Sequence, residues 1–260
     1  MANSRSPHPL GRDPFQPPTL TPGPLGHNDA ASPDTPISFV GDTPGPLGIK
    51  DYADPLRRTN REKFRENKKR PQIMKISDLG VRFIWDEEYA PGISERLHWP
   101  RGSSGVTLGA GYDMKTRSKV QIANDLVSIG ISKGTSEEVA EGAGLYGISA
   151  DSFVNEHRKI VTLTEEQAIA LLKMILPSYE AIVRRCVVVP LFQHEYDALV
   201  SFAYNPGGRF RKVAEYVNRG QSEEAIRHIS EATTSGGKVL RGLVARRKRE
   251  VDLYVKGKYK

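Results

Sequence analysis

Carboxylates are the side chains in this sequence whose types and spacing could do chemistry. Glu87 and Glu88 stand together, Thr107 follows about 20 residues later, and Asp113 lies six residues beyond that. Two acids and a hydroxyl are the parts that inverting glycoside hydrolysis needs. One carboxyl protonates the leaving oxygen, while a second polar group holds a water on the opposite face. By spacing alone, Glu87, Glu88 and Asp113 also read as plain surface charges. Other chemistries lack their parts. The six histidines are scattered and form no HExxH, and a single cysteine, Cys186, excludes a disulfide framework and any CxxC metal site. Gly109-Ala110-Gly111 lacks the third glycine of a dinucleotide loop, and no nucleophile elbow is present. No metal and no cofactor is expected. Cys186, beside Arg185 and a valine run, reads as a core thiol.

The elements that must position these groups are mostly helical. Ser77 is a helix cap, and the helix it opens runs through Glu88 and must end before Pro91-Gly92. Val81, Ile84 and Trp85 share one face of it. A second helix is expected from Ser118 to Ser128, stopped by Gly130. Thr135-x-x-Glu138 reads as a capping box for a short helix, and Thr164-x-x-Gln167 as another. The latter opens an amphipathic helix with Ala168, Leu171, Leu172 and Ile175. Pro190 is expected in the first turn of the next helix, which carries Ala198, Leu199 and Phe202. Asn205-Pro206-Gly207-Gly208 is a turn, followed by helices around 210–219, 222–232 and 240–255. The exception is 104–112, where Val106 and Leu108 alternate with Thr107 and Gly109 as in a short strand. One glycine-rich hairpin among many helices gives an α+β class, mostly helical.

Composition divides the chain. Twelve of the 18 prolines fall in residues 1–55, so residues 1–71 read as a proline-rich, largely disordered segment with a basic hinge, and 72–260 as one folded domain. Thr21-Pro22-Gly23-Pro24-Leu25-Gly26 recurs as Thr43-Pro44-Gly45-Pro46-Leu47-Gly48. The repeat is either linker or docking motif. The 56–70 run, with eight basic residues and two glutamates, is read as a solvated hinge or frayed helix. Net charge is +7 overall, with +3 in residues 1–70 and +4 in the remainder, too little to demand nucleic acid. It suits a polyanionic surface such as the bacterial wall. No apolar run is long enough for membrane insertion, and the first residues hold no signal-type apolar stretch. The chain is expected to be made in the bacterial cytoplasm without a signal peptide.

The stretch from Gln193 to Lys256 resembles the C-terminal lobe of phage-type lysozymes, a glycoside hydrolase family 24-like group. The matching residues are Gln193, Ala198, Leu199, Ser201, Phe202, Asn205 and Gly207, then Gly236, Gly237, Lys238, Leu240, Gly242, Leu243, Arg246, Arg247 and Glu250. Ser104 to Met114 (SGVTLGAGYDM) is similar to a segment of pesticin-like and secreted muramidase domains, including type VI secretion effectors. The resemblance spans roughly residues 76–258. It implies a lysozyme-like fold, with a small hairpin lobe, a larger helical lobe and a saccharide cleft between. It also implies cleavage of the β-1,4 bond from N-acetylmuramic acid to N-acetylglucosamine, with peptidoglycan as partner.

What the resemblance implies for single residues is uneven. The E-x8-D-x5-T spacing of phage lysozymes fails here, since Arg101 stands six residues before Thr107. The branch that places its aspartate after the threonine fits Thr107 and Asp113, which would hold the attacking water. Glu87 and Glu88 compete for the acid. Family helices carry apolar residues four, five and seven positions before it. Those are Ile84, Phe83 and Val81 for Glu88, but Phe83, Arg82 and Gly80 for Glu87, so Glu88 is favoured. The family's glycine after the acid is Tyr89 here. His98 and Trp99 either line the cleft or pack, and Tyr112 and Asn205 are further expected substrate contacts. Arg246 and Arg247 read as structural or wall-facing. The repeated head resembles N-terminal segments of secreted effectors. That implies an antibacterial toxin acting in a target cell's wall, with a cognate immunity protein and a secretion-apparatus contact through the head. A phage endolysin and an inactive glycan-binding relative are the alternatives.

Overall fold

The computed structural model describes residues 67–206, 208–235 and 237–260. The Thr-Pro-Gly-Pro-Leu-Gly repeats and most of the basic run lie outside the described residues. Packing is already present at the start of the described chain. Lys69 exchanges backbone hydrogen bonds with Leu191, Lys68 meets Glu195 at 3.2 Å, and Pro71 is buried at the start of a 3-10 turn, Pro71–Ile73.

Helix α1, Asp78–Glu88, begins where Ser77 leaves extended backbone and its Oγ accepts from the Gly80 amide at 3.0 Å. Val81, Phe83, Ile84 and Trp85 are buried, so the helix is held by its apolar face. Its entry is clamped by Asp197, a fully buried carboxylate. Asp197 accepts from the Ser77 amide (3.1 Å), the Ser77 hydroxyl (2.5 Å), Gln193 Nε2 (2.9 Å) and the Tyr259 hydroxyl (2.7 Å). Four donors satisfy a charge whose burial would otherwise be costly. They tie three chain segments together at the end of α1 remote from Glu88.

The hairpin that follows has strands β1, Thr107–Leu108, and β2, Tyr112–Asp113, with Thr107 opposite Asp113 and Leu108 opposite Tyr112. The expected in–out alternation is absent: Val106, Thr107 and Leu108 are all buried, because the hairpin is covered on both faces. Helices α2 (Lys119–Ser128), α3 (Lys133–Ala140) and α4 (Ile148–His157) follow it in the smaller lobe. Ser118 caps α2 as expected. The cap of α3 is Ser132, one turn before the expected Thr135, whose amide donates to the Ser132 hydroxyl. Helix α4 was not foreseen. Its N-cap is Gly147 at φ +58, which offers no side-chain cap to read.

Helix α5, Glu165–Cys186, opens with the expected Thr164–Gln167 capping box. It runs for 22 residues, about 33 Å at 1.5 Å per residue, straight through Pro177. An internal proline costs roughly 3 kcal/mol. Burial of Leu171, Leu172, Ile175, Leu176 and Val183 offsets it, at about 1.5–3 kcal/mol for each fully buried side chain. Cys186 ends this helix as a half-buried free thiol at the edge of the core.

The larger lobe holds α6 (Gln193–Tyr204), α7 (Phe210–Asn218), α8 (Ser222–Ser230) and α9 (Arg241–Lys256). Pro190 is not in the first turn of α6. The helix starts at Gln193, and Pro190 lies in the extended connection whose Leu191 pairs with Lys69. A second hairpin contradicts the expectation of a single one: β3 (Thr234–Ser235) pairs with β4 (Lys238–Val239) directly before α9. Helix α6 is buried nearly all round and packs on α5, α9 and α1, forming the centre of the core. The architecture is the expected mostly helical α+β one.

Candidate active site

A cavity of about 810 Å³ opens between the two lobes. Glu88 reaches it from the last residue of α1, Thr107 and Asp113 from the hairpin, His98 and Trp99 from the segment before it, and Asn205 from the end of α6. Sequence-distant residues thus line one space. Tyr112 does not join them. It is buried, its hydroxyl donates to Asp125 Oδ2 at 2.5 Å, and Arg117 stacks on its ring, so it braces α2 rather than touching a ligand. Alternation explains this. In a strand successive side chains oppose, and with Asp113 toward the cavity Tyr112 faces the core.

The hairpin end of the cavity is tightly built. Asp113 Oδ1 accepts from the Lys115 amide at 2.7 Å and Oδ2 from the Gly105 amide at 3.2 Å. The Thr107 hydroxyl donates to the Gly105 carbonyl at 3.1 Å, which leaves its oxygen lone pairs for a ligand. Gly105 has no room for a side chain: a Cβ there would lie 2.5 Å from Asp113 Oδ1 and 2.8 Å from the Lys115 amide nitrogen. His98 is joined to Thr107 by two backbone hydrogen bonds of 2.9 Å. Its Nδ1 donates to the Arg96 carbonyl at 3.0 Å, so in the neutral ring Nε2 is the acceptor. Burial holds the His98 pKa below its ordinary value, and the nearby Arg158 charge acts in the same direction. Trp99 Nε1 donates to the Ser104 carbonyl at 3.1 Å, which fixes the indole at the rim.

The opposite end is electrostatic. Glu88 accepts from Arg246 Nη1. Arg246 is buried and also meets Glu250 (Nε to Oε1, 3.0 Å). Glu250 in turn takes the Ser201 hydroxyl at 2.8 Å and pairs with Arg247. Arg247 donates to the Asn205 and Ala232 carbonyls. Two arginines and two carboxylates thus form a balanced, largely buried set, and neither arginine faces outward. Glu87 lies outside the cavity in a two-pronged pair with Arg249 (Nη2 to Oε2, 2.7 Å). The two neighbouring acids therefore differ in what they face.

Two tyrosines between these ends were missed from sequence. Tyr179 and Tyr204 pack ring to ring at 4.5 Å and both line the cavity. Burial first, then the Glu88 charge, pushes Tyr179 up to about 12 and Tyr204 well above the ordinary phenol range. Both remain protonated donors at neutral pH. The Tyr204 hydroxyl donates to the Ala110 carbonyl, holding the hairpin turn on the large lobe. Tyr179 was findable: it continues the 168, 171, 172, 175 stripe by one turn beyond Pro177. Among the described residues no group of three His, Cys, Asp or Glu side chains could hold a metal, and no helix is long and apolar enough to cross a membrane.

Residues 129–250 match the phage lysozyme family. The match covers α3 through most of α9, including Tyr179, Tyr204, Asn205 and the Arg246–Glu250 set, but stops short of Glu88, Thr107 and Asp113. The endolysin of Bacillus phage PZA is 39% identical over 98 residues, 36% of this chain and 38% of that protein. The endolysin of Bacillus phage B103 is 33% identical over 118 residues, 44% of this chain and 45% of that protein. The chain spans less than half the length of these two endolysins. Among solved structures, an endolysin from Escherichia coli O157:H7 phage FAHEc1 is similar over 72% of this chain and 98% of its own, with TM-score 0.48 and 23% identity. The muramidase domain of SpmX from Asticaccaulis excentricus is similar over 70% of this chain and 98% of its own, with TM-score 0.47 and 26% identity.

Proposed function

We propose that this chain is a muramidase that cleaves the β-1,4 bond between N-acetylmuramic acid and N-acetylglucosamine in peptidoglycan. The observation that carries the reading is the convergence of Glu88, Thr107 and Asp113, from three separate places in the sequence, on one cleft between two lobes. The phage lysozyme match over residues 129–250 supports the same class. In this reading Glu88 is the general acid that protonates the leaving glycosidic oxygen. Asp113, oriented by two backbone amides, and the Thr107 hydroxyl hold the attacking water on the other face of the sugar, giving inversion. Arg246 keeps the Glu88 carboxyl aimed into the cleft. His98, Trp99 and Asn205 are its sugar contacts.

For delivery we propose an antibacterial effector that works in the wall of a target cell, restrained in its producer by an immunity protein. The support is the repeated Thr-Pro-Gly-Pro-Leu-Gly head, as a contact for a secretion apparatus. A phage endolysin is the second reading, favoured by the similarity to Bacillus phage endolysins. Digestion of purified peptidoglycan tests the enzyme. New reducing ends on N-acetylmuramic acid are expected, and binding to wall without any such ends would identify an inactive glycan-binding relative. Removal of residues 1–66 tests the head: hydrolysis of purified wall should persist while killing of whole cells is lost. Unchanged killing would remove the effector reading.

A further inference from the structure

One wall of the cleft is left unused by the chemistry above. Helix α4 buries Ala150, Phe153 and Val154, and Phe153 stacks on His157 at 4.2 Å. Its other side turns Asp151, Asn155 and Arg158 toward the cavity. Spacings of four and three residues put these side chains in one row on the helix, about 10 Å long at 1.5 Å per residue. All three are exposed. The side chains of Asp151 and Asn155 take no hydrogen-bond or ion-pair partner among the described residues. Arg158 makes a single long hydrogen bond, 3.3 Å to the Gly92 carbonyl, and has no carboxylate partner among the described residues. Arg82, Arg184, Arg209, Arg227, Arg246, Arg247 and Arg249 are each spent on an acid, whereas Arg158, like Arg101 at the same cavity, is not.

The row therefore presents an acceptor anion, an amide and a guanidinium fork in sequence, all pointing into a groove. An uncharged sugar needs no such alternation of charge. A short peptide does: it offers an amine, amide groups and carboxylates, and a guanidinium binds a carboxylate with two parallel hydrogen bonds. We propose that the cleft side of α4 is a recognition strip for the peptide that peptidoglycan carries on the lactyl group of N-acetylmuramic acid, with Arg158 pairing a peptide carboxylate. The strip rests on the muramidase reading for the identity of the polymer. It assigns the peptide to the small-lobe side of the cavity, where Asp151, Asn155 and Arg158 line it.

Two arms test it with the full chain. In the first, Arg158→Glu and wild type are compared on intact peptidoglycan and on the same glycan stripped of peptides by an amidase. Arg158→Glu is expected to raise KM on intact wall at least about tenfold, the effect of losing one charged hydrogen-bond pair, with kcat held within about twofold. On stripped glycan the two proteins should be equal, and Arg158→Lys should be intermediate on intact wall. Equal loss on both substrates would put the contact on the sugar or lactyl group and overturn the proposal, as would no loss on either. The second arm needs no turnover. Binding of N-acetylmuramoyl dipeptide should weaken at least about tenfold in Arg158→Glu, while binding of an N-acetylglucosamine oligomer stays unchanged. Unaltered dipeptide binding overturns the strip. If wild type binds the dipeptide in the expected way but cleaves neither glycan, it is the muramidase reading that falls.

Discussion

The described residues contain two hairpins of paired two-residue strands, with a three-residue turn in the first and a two-residue turn in the second, and they do different work. The first, β1–β2, is buried among both lobes. Its Thr107 is 2% exposed, its carboxylate Asp113 is held by backbone amides, and its turn is pinned by Tyr204. The second, β3–β4, lies on the surface, with Val239 66% exposed and both β4 residues open to solvent. None of its described residues lines the cavity. Its service is to deliver the chain into α9, which supplies Arg246 to Glu88. The difference teaches that hairpin geometry alone positions nothing. What sets β1–β2 apart is that Thr107 is buried, Asp113 is held by two backbone amides and the turn is tied to the larger lobe.

The strongest way to break that contrast is at Gly105. A methyl group there collides with the Asp113 carboxylate and the Lys115 backbone. Gly105→Ala is expected to lower turnover on peptidoglycan by about 10²-fold, the cost of displacing a catalytic group by an ångström. Near-native turnover would show that Asp113 placement is not demanding. Next is Tyr204→Phe, which leaves the Ala110 carbonyl without its donor and should cost about 1–3 kcal/mol in thermal or denaturant melts. An unchanged melt would separate the hairpin from the large lobe. The matching change in the second hairpin, Gly237→Ala, forces a side chain into φ +78. It should cost about 1–2 kcal/mol and leave turnover unaltered. A drop in turnover as large as that of Gly105→Ala would erase the distinction between the hairpins. The smallest effect is expected from pH. Burial lowers the His98 pKa, so the folded state binds this proton less readily than the unfolded chain. Its contribution is complete above about 6.5, the unfolded value, and is lost as pH falls through the folded pKa. His98→Asn should flatten that part of the stability profile, which a pH series of melts would show.

Much of this was legible in the sequence because it rests on local rules. Ser77, Ser118 and the Thr164–Gln167 box announce helix starts through short polar contacts that the residue types alone imply. The glycines of 105–111 announce the hairpin but not its burial on both faces. What escaped reading depends on distant partners. Helix α4 has a glycine start and a mixed-polarity sequence, and exists because Ala150, Phe153 and Val154 find the core. The reach of α5 past Pro177 to Cys186 has no local signal either, and rests on burial of Leu176 and Val183. In the β3–β4 hairpin Thr234, Gly237, Lys238 and Val239 are all exposed, so they leave no alternating pattern to read. Within the site, Glu88, Thr107, Asp113, His98, Trp99 and Asn205 were foreseen and share the cavity. Tyr112 was assigned to the wrong face, because the register that sends Asp113 to the cleft necessarily sends its neighbour inward. Arg246 reads as structural or wall-facing in the sequence, and only the fold shows that it is buried with Glu88 as its partner.

Glu87 and Glu88 pose the most direct test, since one peptide bond separates them and each is paired with an arginine of α9. Turnover of purified peptidoglycan should be measured for Glu88→Gln and Glu87→Gln side by side, with melts to confirm folding. The account predicts a loss of at least about 10²-fold for Glu88→Gln, the contribution of a general acid, and near-native turnover for Glu87→Gln. Full activity in Glu88→Gln, or the reverse ranking of the two variants, would contradict it.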